Sequence, residues 1–329
     1  MKNNISDENK NLHVAILGAS GIGKNHAAWF AKNGCHVVAF AGSTPEKVGA
    51  TRDVLQSRLG YAPTGYTDVA QLLQSEDLDA VCISTPPALH FEHAQLCLQA
   101  GVNTLCEKPL VHDPDLTSGV LLSQAQQLCD MAEANKTLLG TQMQYPFAAA
   151  KICELARVSP DEIETFEMEM ETKNLKPGRS HETIWIELAP HPLSVLQRVA
   201  PGAQLNQDSI QCTIGDQETD ARFAVQRENG APIEARLTVR CNPETASPLR
   251  RFKLNGRAVD SSGRKNTSGD FLSYLSDGET EIEMPDLVDL LIGNFVAACR
   301  EREPLFVTGQ DGAQNVAWMM HILERGKRV

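Results

Sequence analysis

His13-Val14-Ala15-Ile16-Leu17-Gly18-Ala19-Ser20-Gly21-Ile22-Gly23, running into a helical pattern from Lys24 to Lys32, decides the fold. His13 to Leu17 reads as an apolar strand buried on both faces. Asn33-Gly34 ends the helix as a C-cap glycine does, and a second strand, His36 to Ala41, follows. Strand, glycine loop, helix and strand are the context a dinucleotide fingerprint requires. Gly18 permits the tight turn, and a small residue at the second position lets backbone N–H groups approach a pyrophosphate. Gly23 lets the helix pack on the strand with its N-terminus toward the phosphates. The second position here is Ser20, so the pattern is Gly-x-Ser-x-x-Gly. Serine is small, but a positive φ would cost it something. The plain alternative is a glycine-rich turn in some other α/β protein. The βαβ context favours a nucleotide held by Gly18, Ser20, Gly21, Ile22 and Gly23.

A carboxylate about 20 residues further on holds the ribose 2′-hydroxyl in NAD-binding folds. Here the second strand ends Ala41-Gly42-Ser43-Thr44-Pro45-Glu46-Lys47, with no acid at its tip. Ser43 and Thr44 offer hydroxyls and Lys47 a positive charge, which favours NADP(H) while leaving NAD(H) possible. Ser43 and Thr44 can also simply cap a helix over Pro45–Leu59, and the two roles are compatible.

The alternation continues. Tyr66-Thr67-Asp68 leads into a helix from Val69 to Gln74. Asp79 to Ser84 is a fourth strand, followed by the stiff loop Thr85-Pro86-Pro87-Ala88-Leu89-His90 and a helix from Phe91 to Ala100. Val102 to Cys106 is a fifth strand, delivering Glu107-Lys108-Pro109 at its end. Strands alternating with helices predict an α/β, doubly wound parallel sheet, whose ligands sit at strand C-termini. Lys108 there is a charge donor to a hydroxyl or carbonyl, or an acid/base if burial lowers its pKa. The plain alternative is a surface Glu-Lys pair.

Composition narrows the function classes. At 329 residues and 42% hydrophobic content the chain divides naturally in two. A net charge of −12 without any basic run argues against nucleic acid and membrane surfaces as partners. Nine scattered cysteines, with no CxxC pair, suggest reduced thiols in a cytoplasmic protein and no metal site. Residues 1–11 are polar and read as a loose tail, and no run of about 18 apolar residues exists to span a membrane.

Gly18-Ala19-Ser20-Gly21-Ile22-Gly23 with His26, then Asp79-Ala80-Val81, Thr85-Pro86-Pro87 with His90, Ala100-Gly101 and Glu107-Lys108-Pro109-Leu110 together resemble the glucose-fructose oxidoreductase / inositol dehydrogenase / MocA-type family. The order and spacing agree over residues 12–145. The resemblance implies a Rossmann-type nicotinamide-binding domain over 12–143. It implies an α+β domain with a large open, mainly antiparallel sheet over 144–329, for substrate binding and oligomerisation as a homodimer or homotetramer. It implies hydride transfer at a carbon of a sugar, cyclitol or sugar-derived metabolite, with Thr85, Pro86, His90 and Glu107 at the cofactor. In this reading Lys108 contacts both the substrate hydroxyl and the nicotinamide ribose.

Leu116 to Ala134 reads as a long helix and Thr137 to Gln142 as a sixth strand. Gln142-Met143-Gln144-Tyr145 stands where the family often has Asn and Arg before an aromatic, leaving Tyr145 as a substrate contact. Phe147 to Ala156 opens the second half as a helix. Ile163–Glu171, Ser209–Ile214, Arg222–Arg227, Ile233–Cys241 and Arg251–Val259 read as strands, Ser261 to Gly269 as a loop, and Leu287–Arg300 and Gly312–Glu324 as closing helices.

Trp185-Ile186-Glu187-Leu188-Ala189-Pro190-His191-Pro192 carries the chemistry of this half. Residues four apart share a helix face, so Glu187 and His191 pair if helical. Pro190 disrupts an established helix, so a helix can instead begin there with Glu187 in the lead-in. The family places Asp and His at this spacing. By that resemblance His191 is the acid/base, and Glu187 holds its other nitrogen and fixes its tautomer. A packed histidine at a helix start is the plain alternative. Lys173, Lys176, Arg179 and His181 form a basic loop, either solvated or a substrate loop for a carboxylate or phosphate, with Lys173 and Arg179 the candidates.

The expectation is an NAD(P)-dependent oxidoreductase acting on a small sugar- or polyol-like substrate. Two alternatives stay open: a retained cofactor driving elimination or glycoside cleavage, and a non-catalytic nicotinamide-sensing regulator.

Overall fold

The computed structural model describes residues 11–173 and 181–329. Leu12–Leu17 forms β1, and every side chain from Val14 to Leu17 is fully buried. A strand without a polar face needs cover on both sides. Around it alternate α1 (Gly23–Lys32), β2 (Cys35–Ala41), α2 (Pro45–Leu59), β3 (Thr64–Tyr66), α3 (Val69–Ser75), β4 (Ala80–Ile83), α4 (His90–Gln99), β5 (Asn103–Glu107), α5 (Ser118–Asn135) and β6 (Leu139–Gln142). The strands make one parallel sheet in the order β3-β2-β1-β4-β5-β6. The order reverses between β1 and β4, where ligands of such sheets bind at the strand C-termini. There the Ser84 N–H donates to the Leu17 carbonyl at 2.8 Å and the Gly18 N–H to the Ala41 carbonyl at 3.0 Å.

The second half begins with α6 (Ala149–Ala156) and β7 (Thr165–Thr172). It continues through α7 (His181–Leu188), α8 (Pro190–Val199), β8 (Gln204–Ile214), β9 (Glu218–Gln226), β10 (Ile233–Cys241), β11 (Arg250–Leu254), β12 (Arg257–Lys265), β13 (Phe271–Ser276), β14 (Glu281–Pro285), α9 (Leu287–Cys299), α10 (Gly309–Glu324) and β15 (Gly326–Arg328). Nine strands form a second sheet in the order β14-β13-β12-β11-β7-β10-β9-β8-β15. It is mainly antiparallel, with parallel pairs β7–β10 and β8–β15. Alternation along each strand separates its two faces. Phe166, Met168 and Met170 of β7, Leu237 and Val239 of β10, and Phe252 and Leu254 of β11 are buried. The intervening residues carry charge, with Arg240 2.7 Å from Glu169 and Arg236 2.8 Å from Asp220.

Two sequence expectations change here. Arg251–Val259 is not one strand but a hairpin, because Asn255 (φ +49°) and Gly256 (φ +79°) make a tight turn between β11 and β12. The Asn255 side chain fixes that turn, accepting from the Glu164 and Thr165 N–H groups at 2.8 and 3.0 Å. The Ser/Gly-rich stretch expected as a loop from Ser261 lies largely in β12, paired with β13. Its polarity reflects a strand short of apolar residues, not missing structure.

The chain falls into two compact units. One comprises the segment up to Glu107, Gln127–Gly140 and Ile292–Thr308, and the other Lys108–Gln126, Thr141–Leu291 and Gly309–Val329. β1 to β6 precede residue 143 and β7 to β15 follow it, while two segments group across that point. Lys108–Gln126 groups with the second sheet's unit and Ile292–Thr308 with the first. All nine cysteines are free thiols. Among the described residues no helix is long and apolar enough to cross a membrane.

Candidate functional site

In the first unit two glycines of the loop allow close backbone packing. Gly18 sits at φ +85°, and a Cβ there would stand 2.7 Å from the Ser84 carbonyl oxygen. A Cβ on Gly23 would stand 2.7 Å from the Gly18 carbonyl oxygen. Ser20 does not adopt a positive φ, so the cost expected for serine does not arise; Gly18 takes the left-handed conformation. Ser20, Gly21 and Ile22 are exposed, α1 has no side-chain cap, and its first turn holds no acid. Unsatisfied N–H groups at an open helix start fit the phosphates of a dinucleotide.

At the end of β2, the Thr44 hydroxyl oxygen accepts from the Lys47 N–H at 3.3 Å and so caps α2. Lys47 Nζ donates to the Ser43 hydroxyl at 3.3 Å. The sequence reading passed over Glu46 in the same turn. Its own backbone N–H and the Thr44 hydroxyl hold its carboxyl below the usual range. Beyond β4, the His90 imidazole is buried and its Nε2 donates to the Thr85 carbonyl at 2.9 Å, so it shapes the loop from within. Thr85 Oγ1 also lies 3.1 Å from His93 Nδ1.

A buried polar knot ties this loop region to α1. His26 Nδ1 lies 2.8 Å from Ser84 Oγ and 3.4 Å from Cys82 Sγ, and Nε2 lies 3.5 Å from the Glu107 carboxylate. Burial pushes the His26 pKa down to about 3, so the ring is neutral and its contact with Glu107 is not an ion pair. Nothing in the spacing of these four residues announced the knot.

The second unit holds Lys108, Tyr145, Glu187 and His191 together. Lys108 Nζ donates to the backbone carbonyl of Glu187 at 2.8 Å. The helix breaks at Ala189, since Pro190 has no N–H to continue α7 and instead opens α8. Glu187 and His191 therefore sit on different helices. The expected support of the His191 ring by the Glu187 carboxylate is absent: His191 Nδ1 is buried and makes no hydrogen bond. Glu187 contributes its carbonyl to Lys108 instead.

His191 is fixed from other directions. Its carbonyl accepts from Ser194 Oγ at 2.7 Å, and the Pro190 carbonyl accepts from Asn315 Nδ2 at 3.1 Å. Its ring meets Tyr145 edge-on, with centroids 5.2 Å apart. Burial first, then the charges of Lys108 and Arg250, push its pKa well below the ordinary histidine value. At neutral pH the ring is uncharged and lies in the field of the Lys108 ammonium.

Sequence reasoning missed Arg250, the first residue of β11. Its charge opposes the upward effect of burial on the Tyr145 pKa. An arginine opening a polar strand carries no local signal. Tyr145 and Arg250 line a cavity of about 210 Å³ together with Ser261, Ser262, Ser273 and Asp286. Lys173 occupies an exposed bend after β7. Lys176 and Arg179, and the side chain of His181, lie outside the described residues.

Residues 12–143 match the family described as an oxidoreductase family with an NAD-binding Rossmann fold, Gfo/Idh/MocA. D-glucoside 3-dehydrogenase of Escherichia coli K12 is 30% identical over 139 residues, which cover 42% of this chain and 36% of that one. D-xylose 1-dehydrogenase (NADP(+)) 2 of Haloferax volcanii is 34% identical over 109 residues, covering 33% and 32% respectively. The matched stretch thus spans about a third of the length of these curated relatives. Among solved structures, UDP-N-acetylglucosamine 3-dehydrogenase of Acidithiobacillus ferrooxidans superposes with a TM-score of 0.73 at 18% identity, over 96% of this chain and 98% of that one. That likeness shows a shared fold across both halves. Over residues 12–143, then, the chain is similar to the Gfo/Idh/MocA oxidoreductase family.

Proposed function

We propose that the chain is a nicotinamide-dependent oxidoreductase acting on a carbonyl or secondary alcohol of a sugar, cyclitol or sugar-derived metabolite, with NADP(H) favoured. The observation that carries this reading is His191: a buried, neutral imidazole with an unpartnered Nδ1, in the field of the Lys108 ammonium. The exposed, uncapped glycine loop of the first unit supports nucleotide binding. The names of the E. coli and H. volcanii relatives point to oxidation of a sugar CH–OH.

A bound nicotinamide supplies or takes up the hydride. His191 takes the hydroxyl proton as the alcohol is oxidised and returns it in reduction. Lys108, held by the Glu187 carbonyl, hydrogen-bonds the same oxygen and stabilises its negative charge. That ammonium also keeps His191 uncharged and so ready to accept a proton. The NADP preference rests on Ser43, Thr44 and Lys47, with Glu46 as the opposing charge.

The test is a titration of the protein with NADPH and with NADH, followed by nicotinamide fluorescence, and a substrate screen with the better ligand. Tight NADPH and weak NADH binding is expected. The reverse order removes the NADP preference and leaves the rest. Binding of neither sinks the proposal.

A further inference from the structure

Across the polar face of the second sheet, basic side chains meet carboxylates: Arg251 with Asp260 at 2.7 Å, Lys253 with Glu169 at 3.0 Å, Arg240 with Glu169 at 2.7 Å. Arg250 is different. It is half-buried, its charge acts on the Tyr145 hydroxyl, and among the described residues no carboxylate pairs with it. A half-buried cation without a counter-charge is costly, and the cost is recovered when an anion arrives.

The surroundings suit such an arrival. Arg250 lines a cavity of about 210 Å³ whose other polar walls are Gln144, the hydroxyls of Ser261, Ser262 and Ser273, and Asp286. Asp286 is the one opposing charge, and its Oδ1 is engaged as the cap of α9, accepting from the Val288 N–H at 3.0 Å. A guanidinium has five donors in a planar fork and can grip two oxygens at once. Tyr145 also links this group to the reacting end, since it lines the same cavity as Arg250 and meets His191 through its ring. A ligand anchored at Arg250 therefore lies one tyrosine away from the imidazole.

We propose that Arg250 receives a carboxylate of the substrate, and that the chain acts on an acidic sugar derivative, an aldonate or uronate, in preference to a neutral sugar or polyol. This rests on the dehydrogenase reading above and deepens it. A single guanidinium matches a singly charged carboxylate, and Asp286 in the same cavity disfavours a doubly charged phosphate. The acid is held at Arg250, and a carbinol elsewhere on the sugar is presented to His191 and Lys108.

Calorimetric titration of the nucleotide-loaded, full-length protein tests this independently of turnover. The probes are D-glucuronate, D-galacturonate and D-gluconate, against D-glucose, D-galactose and D-glucose 6-phosphate. The acids are expected to bind about 10- to 100-fold more tightly than the neutral sugars, the range of one charge-assisted fork. Arg250→Gln should abolish that ratio and Arg250→Lys restore part of it, both with unchanged nucleotide affinity and melting temperature. Arg250→Lys guards against a glutamine variant that misfolds. Equal binding of acids and neutral sugars, binding of none of the probes, or a ratio that survives Arg250→Gln overturns the proposal. Tighter binding of the 6-phosphate than of any acid also overturns it, in favour of a phosphate subsite. If the acids bind through Arg250 but no probe is oxidised, the dehydrogenase reading falls and this assignment stands.

Discussion

Lys108 has two tasks in the structure, and both belong to its ammonium. Its ammonium holds the Glu187 carbonyl and sets the field at His191. Lys108→Met keeps the length of the stem and removes the charge. Turnover should fall by about 100- to 10,000-fold, the usual range for a lost proton-handling group, while NADPH affinity stays within about twofold. Equal loss of both would make Lys108 a structural residue. The position of Lys108 was legible because proline follows a buried strand at the C-terminal end where ligands of such sheets bind. The role of Glu187 was not. Its spacing to His191 implied a carboxylate–imidazole pair, but His191 Nδ1 makes no hydrogen bond and it is the Glu187 carbonyl that is used, by Lys108. The side chain that does adjoin the imidazole, Tyr145, comes from a segment 46 residues earlier, and Arg250 from 59 residues later. Contacts of that separation leave no trace in local periodicity.

At the scale of elements, α2 shows how far local rules reach. Thr44 caps it, Pro45 starts it, and Gly60 at φ +80° ends it, so its bounds agree with the expectation residue for residue. β12 shows where they fail, because Ser261 to Gly263 take a strand conformation from pairing with β13 and not from their own propensity. In the proposed function the start of α2 also carries the nucleotide preference, and the two roles separate by mutation. Thr44→Ala should lower stability by about 1 kcal/mol through loss of the cap, whichever nucleotide is present, read from urea unfolding. Lys47→Glu should weaken NADPH by about 10-fold and spare NADH, since a like charge then meets the 2′-phosphate. Glu46→Gln should move the ratio the other way. If neither substitution alters the NADPH-to-NADH ratio, the 2′-position is read elsewhere.

Summed over the whole molecule, the buried titratable groups fix how stability depends on pH. Burial lowers the pKa of His26, His93, His112 and His191, with His26 brought to about 3. Each has a folded pKa below its unfolded value of 6.5, so the unfolded chain binds more protons as pH falls below that value. Their contribution is complete above about pH 6.5 and is lost on acidification, at up to about 1.4 kcal/mol per pH unit for each histidine between its two pKa values. Glu169, held low by the Lys253 hydrogen bond, loses its share only below its unfolded value of 4.5. From pH 6.5 to 4.5, then, the histidines act ahead of the carboxylates. At the other end, burial raises Cys97, Cys212 and Cys299 to about 12. Above pH 9 the unfolded thiols ionise while the folded ones do not, and stability declines again. The result is a plateau from about pH 7 to 9. Urea midpoints taken at intervals from pH 7.5 to 5.5, above the isoelectric point near 5.2, should fall steadily on the acid side. In His26→Gln the protein should be less stable at pH 7.5, because the knot with Ser84 and Glu107 is lost. Its decline toward pH 5.5 should nevertheless be shallower by one histidine's share. A wild-type midpoint that stays level to pH 5.5, or a variant that declines as steeply as the wild type, would mean that His26 takes up its proton in the folded state and that the knot opens to admit it.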